Sequence, residues 1–195
     1  MRHSRLIRTF DFALAAAGLL ATSPIVLAAA VVVRMTSAGP AIFAQPRVGQ
    51  HERVFVCYKL RTMKAGTRSA ASHEVTAAAI TGVGAVLRRT KLDELPQLWN
   101  VLVGEMSLVG PRPCLPIQQE VIEARRNRQV FSVRPGITGL AQIRDIDMSD
   151  GPKLAEADAQ WVEQGSVRTY LETILQTLRG KGSGDRAGRD QSAVK

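Results

Sequence analysis

From Phe12 to Val33 the chain runs for 22 residues without a charge, bounded by Asp11 and Arg34 and interrupted only by Gly18 and by Thr22-Ser23-Pro24. As one helix this stretch is roughly 33 Å long, enough to cross a hydrocarbon core of about 30 Å. A cleaved signal peptide needs a shorter apolar core and an acid-free flank, so that reading fits poorly. A spanning helix is normally oriented by the Lys/Arg bias of its flanks, but Arg2, Arg5 and Arg8 before the run balance Arg34, Arg47 and Arg53 after it. Ser23-Pro24 at the midpoint opens a third reading. Proline removes a backbone donor and crowds the preceding turn, so the helix is expected to bend there, with the Ser23 hydroxyl taking up part of the freed backbone. A bend lets the helix enter and leave by one face, with both basic flanks on the cytoplasmic side. The residues alone leave the spanning and re-entrant readings open.

The rest reads as one globular body. Short apolar runs at Ile42-Phe43 and Val54 to Tyr58, punctuated by Pro46 and Gly49, predict extended segments within 41–63. Residues 65–79, rich in Ala, Ser and Thr and without a period, predict a mobile loop. Leu92, Leu95, Leu98 and Leu102 recur at helical spacing, and 154–164 is a further helical candidate. Val167, Tyr170, Leu171, Ile174, Leu175 and Leu178 trace an apolar stripe on a last helix, suited to core packing or to resting on a bilayer surface. Beyond Gly180 a polar tail is expected to be disordered.

Composition narrows the class. The 195 residues suffice for one compact domain, and 45% hydrophobic with 22% charged residues excludes wholesale disorder. The net charge of +9 draws the chain toward anions, but aromatics are 5% and the basic residues are scattered, which disfavours nucleic acid as a partner. The only cysteines, Cys57 and Cys114, lack metal-ligand spacing and fit a reducing compartment.

Candidate chemistry lies between Lys59 and Arg144. Leu92-Asp93-Glu94-Leu95-Pro96 sets two carboxylates at the start of a helical pattern. With Asp93 as N-cap and Pro96 in the first turn, backbone amides and the helix dipole would converge there, a common way to hold phosphate. Lys59 and Arg61, Arg88-Arg89, Arg112 between Pro111 and Pro113, and Arg134 before Pro135 surround the pair in sequence. Rigid arginine forks match phosphate oxygens, and one carboxylate can hold a divalent metal that bridges phosphates. The alternative is that Arg112 and Arg134 pair with local acids such as Glu105 or Glu120.

Arg8-Thr9-Phe10-Asp11, Ser23-Pro24, Gln45-Pro46-Arg47-Val48-Gly49, Lys59-Leu60-Arg61-Thr62-Met63, Leu92 to Leu102, Met106 to Pro113 and Arg134 to Gly139 together resemble the bacterial sugar transferases, monotopic polyprenol-phosphate phosphoglycosyltransferases. The resemblance runs in order from about Arg8 to Gly180. It implies an α+β protein: a re-entrant membrane helix broken at Ser23-Pro24 (1–36), a helix-rich cytoplasmic catalytic domain with short strands (37–180), and a polar tail (181–195). It implies transfer of sugar-1-phosphate from a UDP-sugar to undecaprenyl phosphate at the cytoplasmic face of the bacterial inner membrane, releasing UMP, with membrane lipid as surroundings and a homodimer as one possible assembly. Asp93 would be the nucleophile, Glu94 the Mg2+ ligand, and Lys59, Arg61, Arg88, Arg112 and Arg134 the phosphate or nucleotide contacts. Arg8 and Asp11, one turn apart, would pair or anchor at the headgroups. The chain departs from the family pattern at Ile7, Glu105, Leu140 and Arg144-Asp145; the last two bear on the acceptor or sugar pocket. A rival reading from charge alone is a non-catalytic, membrane-tethered basic binding protein.

Overall fold

The computed structural model describes residues 4–67 and 79–182; most of the loop expected at 65–79 and the tail beyond Gly182 lie outside the described residues. Helix α1 spans Ser4–Thr36 and carries Pro24 inside it. In a regular helix the Pro24 amide would bond the Leu20 carbonyl. The Ser23 hydroxyl donates to that carbonyl instead, at 3.1 Å, and Thr22 Oγ1 donates to Gly18 O at 2.7 Å. The Ser23 hydroxyl thus gives the Leu20 carbonyl a partner in place of the amide that Pro24 lacks.

The extended segments form a hairpin, β1 (Ile42–Val48) and β2 (Val54–Leu60), paired antiparallel from Ile42 opposite Leu60 to Val48 opposite Val54. The helices are α2 (Gly82–Thr90), α3 (Gln97–Val103), α4 (Gln119–Asn127), α5 (Leu140–Ile143), α6 (Gly151–Gln164) and α7 (Val167–Leu178). The side chains of Thr81, Asp150 and Ser166 cap α2, α6 and α7. Strands β3 (Ser107–Val109) and β4 (Gly136–Thr138) make a short parallel pair. A Cβ on Gly136 would lie 2.1 Å from Gly110 N, so this crossing accepts only glycine there.

Helix α1 docks on the body through both of its flanking polar residues. Arg8 caps α3 by donating to the carbonyls of Val101 and Leu102 at 2.5 and 2.8 Å, where last-turn carbonyls lack helical partners. Asp11, 1% exposed, accepts from Ser107 Oγ, Leu108 N and Tyr170 OH at 3.0, 2.9 and 2.8 Å. The expected Arg8–Asp11 pairing is therefore replaced by two separate grips on the globular body, because each side chain meets a better partner across the helix interface. Ala15 and Val33 are buried with β2, α2 and α3, whereas Leu20, Leu27, Val31 and Met35 are exposed. Behind the second strand pair, α4 and α6 close a core around Val121, Ile122 and Leu154. Arg125 and Asp158, each 1% exposed, cross it as an ion pair at 2.7 Å.

Candidate functional site

Pro96 governs the local shape of the Asp93-Glu94 segment. Lacking an amide hydrogen, it cannot bond Leu92 O as a continuous α-helix requires. Leu92–Glu94 closes instead as a 3-10 turn, with Leu95 N donating to Leu92 O at 3.3 Å, and α3 begins only at Gln97. Lys91, left-handed at φ 58°, turns the chain into this segment. The expectation of Asp93 as N-cap is thus corrected: Pro96 holds that position, and the Asp93 side chain makes no cap bond. A carboxylate that caps nothing is available for other work.

Asp93, 7% exposed, lies in the wall of a cavity of about 590 Å3. Burial pushes its carboxyl up to about 6; the nearby cations Lys59, Arg88 and Arg112 pull against this, and the Glu94 charge adds to it. Glu94 behaves oppositely. Burial alone would raise it, but Arg112 and Lys59 hold it well below the usual carboxylate range. Both donate to the same oxygen, Oε1, at 2.6 and 2.8 Å. Burial raises one carboxyl while two cations hold its neighbour down, which is the division expected of an acid pair with two roles.

The structure brings together part of the expected basic wall. Arg88 and Arg112 line the cavity, and Lys59 reaches it through Glu94. Arg88 is oriented by its Nε bond to Thr62 Oγ1 at 2.9 Å. Arg61 is used elsewhere: it donates to the carbonyl and hydroxyl of Ser37 and ties down the end of α1. Arg134 likewise donates to Gly104 O, behind α3. Neither lines the cavity; Arg112 pairs with Glu94 and Arg134 bonds the Gly104 carbonyl. Arg47 and Lys91 do line it, and neither stands out in the sequence as a site residue. Burial, with Arg112 beside it, lowers the Arg47 guanidinium to about 10.

Apolar residues share the lining: Leu14 of α1, Leu98 of α3, Leu108, Ile137, and Ile174 and Leu178 of α7. The cavity therefore takes in both the acid pair and a side chain of the long apolar helix. Among the described residues no three His, Cys, Asp or Glu side chains converge. The carboxylates of Asp93 and Glu94 are oxygen donors of the kind Mg2+ takes, one or two at a time together with substrate phosphates and water, and Glu94 keeps Oε2 clear of the Lys59 and Arg112 bonds to Oε1.

Acid pair, guanidinium wall and apolar residues share one cavity beside a helix long and apolar enough to cross a membrane. Residues 2–181 match the family described as bacterial sugar transferase, and the chain belongs to that family of enzymes. Among its relatives is an uncharacterized sugar transferase, EpsL, of Bacillus subtilis (strain 168), 39% identical over 178 residues, covering 89% of this chain and 86% of the relative. A UDP-glucose:undecaprenyl-phosphate glucose-1-phosphate transferase of Caulobacter vibrioides is 36% identical over 182 residues, covering 88% and 67%. One of the same description from Escherichia coli (strain K12) is 37% identical over 184 residues, covering 89% of this chain but 39% of its own length. Family membership sets aside the reading as a non-catalytic tethered binder.

Proposed function

We propose that the protein transfers sugar-1-phosphate from a UDP-sugar to undecaprenyl phosphate, in two displacements on Asp93. The observation that carries this reading is the contrast within the acid pair: an Asp93 titrating near 6 beside a Glu94 locked by two cations, in one cavity that reaches helix α1. In the first displacement an Asp93 oxygen bonds to the sugar-bearing phosphorus, the phosphorus–oxygen bond to UMP breaks, and its electron pair leaves with UMP. In the second, a phosphate oxygen of undecaprenyl phosphate attacks the same phosphorus, and Asp93 departs as a carboxylate. Splitting the transfer lets a soluble donor and a lipid acceptor use one site in turn.

Arg88 and Arg112 offset the repulsion between the Asp93 carboxylate and the diphosphate, and stabilise charge that moves to the leaving group. Bound Mg2+, with Glu94 as its ligand, would add positive charge at the phosphates. The apolar wall from Leu14 to Leu178 gives the lipid acceptor a route from the helix to Asp93. In detergent with Mg2+, undecaprenyl phosphate and a panel of UDP-sugars, the purified protein is expected to release UMP with one donor, and EDTA to stop the release. No UMP from any donor, or release indifferent to EDTA, would overturn the reaction or the metal assignment respectively.

We further propose that residues 1–36 form a re-entrant membrane helix and 37–180 the catalytic domain at the cytoplasmic face. Helix α1 is continuous from Ser4 to Thr36, and what supports a bend is Pro24 at its middle, which removes one backbone bond from the ladder. A tag at the N-terminus is expected to be unreachable from the periplasm, and to become reachable when Ser23 and Pro24 are both replaced by Ala. Periplasmic labelling of the parent protein would refute the hairpin.

A further inference from the structure

Arg47 differs from Lys59 and Arg112 in how its charge is answered. Lys59 and Arg112 both meet the Glu94 carboxylate. Among the described residues the hydrogen-bond partners of Arg47 are neutral: Nε and Nη2 donate to Gln45 Oε1 at 3.1 and 2.6 Å, and Nη1 to Pro113 O at 3.0 Å. That uses three of the five N–H groups of a guanidinium and fixes the fork from two sides. The support is rigid, since Gln45 is buried and the strand register holds Arg47 opposite Phe55. Arg112 is its electrostatic neighbour. Two guanidinium groups lining one cavity, only one of them paired with a carboxylate, form a poor arrangement alone and a good one around a bridging anion.

The order of charges tells which anion. Arg112 donates to Glu94 Oε1 at 2.6 Å, next to Asp93 in the chain, whereas Arg47 donates to the carbonyl of Pro113, next to Arg112. Arg112 thus stands between the nucleophile and Arg47. A diphosphate whose sugar-bearing phosphorus faces Asp93 has its second phosphate one step further along this row. From this geometry, and resting on the transfer reaction proposed above, we infer that Arg47 binds the phosphate of the departing nucleotide. When the phosphorus–oxygen bond breaks, the electron pair goes to an oxygen of UMP, and the two remaining N–H groups of Arg47 meet that growing charge.

The test uses the full chain in detergent with Mg2+. UMP binding is measured by calorimetry, and discharge of donor-loaded protein onto undecaprenyl phosphate by single turnover. Arg47→Gln is expected to weaken UMP binding at least about tenfold and to raise the donor KM in step, with discharge changed less than about twofold, since UMP has left by then. Arg47→Lys, which keeps the charge and loses the fork, should weaken UMP binding several-fold, and it serves if the Gln variant fails to fold by thermal melting. UMP binding unchanged in the folded variant, or discharge slowed as much as loading, would overturn the inference. A parent protein that binds UMP through Arg47 yet never turns over would sink the transfer reaction and leave Arg47 as a nucleotide contact.

Discussion

Asp93→Asn reduces turnover to below about a thousandth of the parent rate while the protein stays folded, because the amide cannot form the ester on which both displacements depend. The substitution is nearly isosteric and disturbs no cap, since the Asp93 side chain makes no cap bond. Parent protein given labelled donor without lipid should gain the mass of a sugar phosphate on the peptide holding Asp93, and the variant should not. The pH dependence follows from the same group. Its proton is held up to about pH 6, so loading falls about tenfold per unit below that point and levels off above it. A variant with near-parent activity, or a loading rate flat from pH 5 to about pH 8, would remove Asp93 from the nucleophile role.

Asp158→Ala destabilises the fold by about 3–5 kcal/mol and lowers the melting temperature by roughly 10 °C, the cost of leaving one member of a buried ion pair alone. Arg125 also donates to the Arg112 carbonyl at 2.8 Å, so the loss reaches the cavity: activity well below the melting point should drop as the Arg112 loop loosens. Replacing both partners by apolar residues, Arg125→Met with Asp158→Leu, should recover much of the stability, because no buried charge then remains unpaired. A melting temperature unchanged in Asp158→Ala would show that the pair carries no such weight.

Much of this arrangement is legible in the amino-acid sequence. The uncharged run from Phe12 gives α1, the stripe at Val167 to Leu178 gives α7, and Asp93-Glu94 with Arg88 and Arg112 marks the cavity. The capping geometry departs from the smooth helical period although its cause is written in the sequence: a proline four residues after Leu92 forbids the bond that period assumes. Arg61 and Arg134 are basic residues in the right blocks, but sequence proximity does not say that a backbone carbonyl claims each first. Arg125 and Asp158 did leave a signal: each is a charge on the apolar side of its helix, beside Val121-Ile122 and between Leu154 and Trp161. Two opposite charges so placed point toward one another. Arg47 hid within a motif, its meaning set by Gln45 on its own strand and by Pro113, far along the chain.

The clasp on Asp11 has a mechanical consequence. Because one carboxylate ties α1 to Ser107 and Leu108 of β3 and to Tyr170 of α7, the long helix cannot slide along its axis without carrying the strand that leads through Val109 and Gly110 to Arg112. The apolar rod and the guanidinium are geared together. On the proposed reaction and membrane placement, the height at which the rod floats would become a caliper for the spacing between the reacting phosphate and the oily layer below it.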